Sequence, residues 1–80
     1  MQFEKEAIFL GYKDMILKDG TTLLTVTFYV GDSALEVNVL ASNIPVASVV
    51  KSKSFGDSCV VTFALRKVDK LYKLSLAAIA

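Results

Sequence analysis

Four cations stand within eight residues near the end of this 80-residue chain: Arg66, Lys67, Lys70 and Lys73, in the stretch "ALRKVDKLYKL". Asp69 is the one carboxylate among them. Guanidinium and ammonium groups gathered this closely suit the attraction of a polyanion such as a phosphate backbone. The groups that make and break bonds are scarce by comparison. There is no histidine, hence neither the commonest general base nor the commonest metal ligand. Cys59 is the single cysteine, so it forms no intrachain disulfide and builds no cysteine-based metal site alone. Its setting, "DSCVVTF", suits a buried, inert thiol. The eight carboxylates are scattered, mostly beside lysines, and no pair sits at a telling spacing. The expectation is a binding protein rather than an enzyme, with no metal, no cofactor and no small-molecule substrate.

The elements that carry the cations have a period of two. Residues 23–30, "LLTVTFYV", place Leu24, Val26, Phe28 and Val30 on one face and Thr25, Thr27 and Tyr29 on the other. Residues 34–40, "ALEVNVL", alternate as cleanly, with Leu35, Val37 and Val39 inward and Glu36 and Asn38 outward. Gly31 and Asp32 between them read as a two-residue hairpin turn, since glycine accepts the positive φ required there. Upstream, "EAIFLGYKDMIL" is a longer strand, and its Gly11 marks a bulge or sharp bend. That strand runs into a second turn at Lys18, Asp19 and Gly20. Downstream, Cys59, Val61, Phe63 and Leu65 share a face of a fourth strand, Val68 and Asp69 make a turn, and residues 70–79 return with Tyr72, Leu74 and Leu76 on one side.

One segment departs from alternation. In residues 41–57, "ASNIPVASVVKSKSFGD", Ser42 and Asn43 are cap-type residues and Pro45 is tolerated in a first helical turn. A short helix of about two turns follows, with Val46, Val49 and Val50 on one flank. The order is therefore three strands, a helical segment and two strands, in one domain spanning 1–80. With 54% hydrophobic residues around so small a core, some apolar surface lies outside, which favours self-association. No apolar run approaches the length of about 20 residues that spans a bilayer. The start, "MQFEKEAIF", lacks the basic region and apolar core of a signal peptide. A cytoplasmic protein with no membrane contact is expected.

A bulged first strand lets such a chain curl and close, which removes the sheet edges. The strand order resembles the OB-fold, a mainly β architecture: a small five-stranded OB-like barrel with a short helical segment between strands 3 and 4. An SH3-like barrel or another small Greek-key arrangement is the alternative, and the helix favours OB. On an OB-fold, the loops joining strands 1–2 and 4–5 flank one binding surface with the exposed face of strands 2 and 3. Here those loops bring Lys13 and Lys18 together with Arg66, Lys67, Lys70 and Lys73, six cations against three carboxylates. The rest of the chain holds three cations against five carboxylates, so the charge is polarised although the formal net charge is +1.

Tyr29, outward on strand 2, is the foremost candidate platform for stacking a base, followed by Tyr72 and by Tyr12 beside Gly11. Thr25, Thr27 and Asn38 would offer hydrogen bonds from the same face. Lysines at hairpin tips also solubilise, and on edge strands they block unwanted pairing. In size, strand order, hairpin placement and basic loops the chain resembles the small single-stranded-DNA-binding OB proteins of bacteriophages and mobile elements. That resemblance implies coating of single-stranded DNA, or RNA, during replication or transfer, in the host cytoplasm if the chain is of phage origin, and commonly as a homodimer. A different reading rests on the apolar end, "LSLAAIA". Leu71, Ala77 and Ile79, with Val60 and Ala64 on the neighbouring strand, would form an outward apolar strip for self-association or for docking another protein.

Overall fold

The computed structural model describes residues 1–80, Val68 by its backbone alone. Five strands and one helix follow in the order β1 (Gln2–Ile16), β2 (Thr22–Val30), β3 (Ser33–Leu40), α1 (Ile44–Ser52), β4 (Ser58–Val68) and β5 (Leu71–Ile79). The strands close into a barrel in the order β1-β2-β3-β5-β4, with β4 returning to β1. All neighbours are antiparallel except β3 and β5, which meet in parallel at Asn38 and Ser75. The fold is mainly β and OB-like.

Closure depends on β1 serving two neighbours. Its first half pairs with β4, from Gln2 opposite Ala64 to Ile8 opposite Ser58. Its second half pairs with β2, from Ile8 opposite Tyr29 to Ile16 opposite Thr22. The register slips between Phe9 and Gly11, and Gly11 sits at φ +154. A side chain disfavours that backbone conformation, so glycine there allows the strand to turn from one partner to the other. The β2–β3 turn needs the same freedom: Gly31, at φ +65, occupies the first central position between the paired Val30 and Ser33.

Alternation along each strand fills the barrel. Leu24, Val26, Phe28, Val61 and Phe63 are fully buried. Phe28 holds the centre, edge-on to Phe9 at 6.1 Å between ring centroids and to Phe63 at 6.2 Å. Burying a side chain of this size stabilises the fold by about 1.5–3 kcal/mol. α1 plugs one end of the barrel with Val46, Ala47 and Val50. Ala47 takes the buried place expected of Val49, which is only partly covered. Pro45 stands in the first turn, as its missing N–H requires, but Asn43 caps by position only and its side chain makes no capping bond.

Two expectations for the last hairpin are corrected. Its turn lies at Asp69 and Lys70, one residue later than the sequence suggested, and Asp69 adopts φ +57 without being glycine. The second correction concerns Ile79. Thr62 pairs with Ala78, but the next pair is Phe63 with Leu76, so Ala77 is an extra residue in β5. One extra residue reverses the phase of everything beyond it. Ile79 therefore packs against the core rather than joining an outward apolar strip.

Candidate nucleic-acid interface

The arm formed by the ends of β4 and β5 organises the basic cluster through its register. Arg66 stands opposite Lys73, and Lys67 opposite Tyr72. Neighbouring pairs on a ladder project to opposite faces, so each face of the arm carries a different surface. Arg66 and Lys73 make one face, two like charges side by side. Such a pair is destabilising unless an anion lies between them. On the other face the Lys67 Nζ lies 5.9 Å from the centroid of the Tyr72 ring, within cation–π range. The ring remains 66% exposed, so a lysine braces it while it still faces solvent. Lys70 is exposed in the turn.

The other cationic loop is small and internally bonded. Leu17 N–H donates to the Thr21 carbonyl at 2.8 Å, and Gly20 N–H donates to the Leu17 carbonyl at 2.9 Å. Thr21 N–H donates to Asp19 Oδ1 at 2.9 Å. That bond, reinforced by the Thr21 hydroxyl, holds the Asp19 carboxyl below its ordinary range. Lys18 is therefore presented at an ordered turn beside a carboxylate engaged with the backbone.

Between the loops lies the outer face of β1, β2 and β3. Lys13 is opposite Thr25, which is opposite Asn38; Gly11 is opposite Thr27, which is opposite Glu36. Leu10, Gly11, Tyr12, Lys13, Thr25, Thr27 and Glu36 line a shallow groove of about 350 Å³. Thr25 is buried, and its hydroxyl donates to Asn38 Oδ1 at 3.1 Å. Its bonding capacity is thus partly spent inside the protein. The Asn38 amide NH2 and the Thr27 hydroxyl are the groups left to meet a ligand.

Topology fixes where the two loops stand. The start of β2 lies beside the end of β3, because Leu23 pairs with Leu40, so the β1–β2 loop is at the C-terminal end of β3. β5 runs parallel to β3, so the β4–β5 turn lies toward the N-terminal end of β3. Lys18 on one side and Arg66, Lys70 and Lys73 on the other thus stand at diagonal corners of the face that contains Lys13, Thr27 and Asn38, since Ser75 opposite Asn38 shares its phase with Lys73. Lys67 and Tyr72 extend the core-side phase of the arm beyond the barrel. Tyr12, half-exposed, borders the groove from β1.

Tyr29 is placed elsewhere. Though 41% exposed, it lines a second, larger hollow of about 640 Å³ with Glu6, Ala7, Ile8, Gly31, Ser58, Cys59, Val60 and Ala80. Sequence alternation put Tyr29 on the correct face but gave no sign of this hollow, which arises where β1 leaves β2 for β4. Only the cross-strand register shows Ile8 beside both Tyr29 and Ser58. The Cys59 thiol, deep in this wall, is buried and lies 3.5 Å from the Ala7 carbonyl oxygen. Burial pushes its pKa up, Asp57 adds to the effect, and Lys53 opposes it.

Among the described residues, no helix is long and apolar enough to cross a membrane. No protein-family model matches the chain, and no curated protein matches it in sequence.

Proposed function

We propose that the barrel binds single-stranded nucleic acid without sequence preference. The observation that carries this reading is the pairing in the basic arm, with Arg66 opposite Lys73 and Lys67 bracing an exposed Tyr72. Paired cations suit successive phosphates, and a braced aromatic ring suits an unstacked base. The strand would cross the outer face of β2 and β3 from the arm toward Lys13 and Lys18. Thr27, Asn38 and Tyr12 would meet sugars and base edges on the way. Glu36 sits within this track and would repel a phosphate, so the backbone is expected to pass to its Lys13 side. Tyr29, in the neighbouring hollow, would stack a base only if the strand extends past the turn at Gly31.

Single-stranded DNA is the expected ligand, with RNA open to the same chemistry. A cytoplasmic role in coating single strands during replication or transfer, in a phage or mobile element and with self-association, accompanies this reading. Anisotropy of labelled oligo-dT, with a duplex of equal length beside it, tests the reading. Tighter binding of the single strand is the expected outcome. Equal affinity for both forms, or none for either, would contradict it.

A further inference from the structure

We propose that the hollow around Tyr29 receives the basic arm of a second copy of this chain, so that copies join head to tail. The hollow combines an apolar floor with a carboxylate. Ile8, Tyr29 and Val60 are each about two-fifths exposed along it, and Glu6 stands beside Val60 across the β1–β4 ladder. Glu4 lies two residues back on the same face of β1, opposite Thr62. The region therefore offers negative charge around exposed apolar side chains, at about 640 Å³.

The arm offers the complement. Register puts Leu71, which is 68% exposed, on the same phase of β5 as Lys73, with Arg66 opposite. An apolar side chain flanked by two cations matches an apolar floor flanked by carboxylates. Opposite charge near the two surfaces also steers their encounter and fixes orientation. Carboxylates from the neighbour would relieve the repulsion between Arg66 and Lys73. Arg66 and Lys73 are also the cations proposed above to meet phosphates, so docking and nucleic-acid binding compete for this face, while Lys67 and Tyr72 stay open in this arrangement. A contact between two different patches is heterologous, so it extends into rings or filaments rather than stopping at a two-fold dimer.

Sedimentation velocity without nucleic acid tests this independently of the proposed function. At low salt the average mass is expected to rise with concentration beyond that of a dimer. It should return toward the monomer at about 1 M salt, where screening acts over about 3 Å. Glu6→Lys spoils the hollow and keeps the arm; Arg66→Gln with Lys73→Gln spoils the arm without creating a charge that the altered hollow would attract, and keeps the hollow. All three positions are exposed, and circular dichroism verifies that each variant is folded. Each variant alone should self-associate at least roughly tenfold more weakly, a change of about 1.4 kcal/mol. Mixed together, they should form a one-to-one complex that grows no further, because each supplies one intact half. Wild-type protein that stays monomeric at every concentration would overturn the proposal and leave the hollow to a cationic partner of another kind. A closed dimer indifferent to both variants, or a mixture that forms no complex, would overturn it as well.

Discussion

Tyr72 is the residue on which nucleic-acid binding most depends in this account, because its ring is both exposed and held by Lys67. Replacing it with alanine removes one stacking platform, worth about 1–3 kcal/mol, so affinity for oligo-dT should fall roughly 5- to 150-fold. The far-UV circular dichroism should not change, since the side chain lies beyond the core. Tyr29→Ala should cost less on short oligonucleotides, because Tyr29 belongs to the other hollow. Cys59 carries a different prediction. Burial raises its pKa and keeps the thiol protonated, so a disulfide thiol probe should react slowly with the folded protein and quickly once denaturant opens the barrel. Rapid reaction in the folded state would show that the β1–β4 wall opens readily.

At the scale of elements, the alternation in β2 and β3 was readable because each has one buried and one exposed face and no register change within it. The Gly11 bulge announced itself for a physical reason: a backbone conformation that disfavours side chains leaves glycine in the sequence. Added bulk at Gly11 meets open space, so any penalty there belongs to the backbone alone. Gly11→Val is expected to lower stability by about 1–3 kcal/mol, read from the midpoint of urea unfolding. An unchanged midpoint would show that β1 turns without help from that residue. The bulge at Ala77 left no comparable mark, because it falls among small and apolar residues, and the face of Ile79 was misassigned as a result. The turn at Asp69 was placed one residue early for a similar reason, since no glycine signals its positive φ. Part of the candidate site was legible too. The cations of residues 66–73 were plain in the sequence, but Arg66 facing Lys73 and Lys67 facing Tyr72 are facts of register, which composition does not carry.

For the whole molecule, one small core supports everything else. Phe28 touches the rings of both Phe9 and Phe63 and is fully buried. Phe28→Ala should cost about 3–5 kcal/mol. A domain of this size has a stability on the order of 5 kcal/mol, so the variant should retain at most about 2 kcal/mol and unfold at a much lower urea midpoint, followed by circular dichroism. The core also sets the charge pattern, because barrel closure sends the two cationic loops to diagonal corners of one face and leaves Glu4 and Glu6 along β1. Polarised charge on a nearly neutral chain should make binding strongly dependent on salt while the protein as a whole behaves as neither acidic nor basic. The central claim is a phosphate-binding track on that face, and a salt series of oligo-dT binding, followed by anisotropy, tests it most directly. The account predicts single-strand binding whose logarithm falls linearly with the logarithm of salt, with a slope of about −2 to −3 for three or four phosphate contacts. Binding that is absent at low salt, or present with no slope, would contradict it.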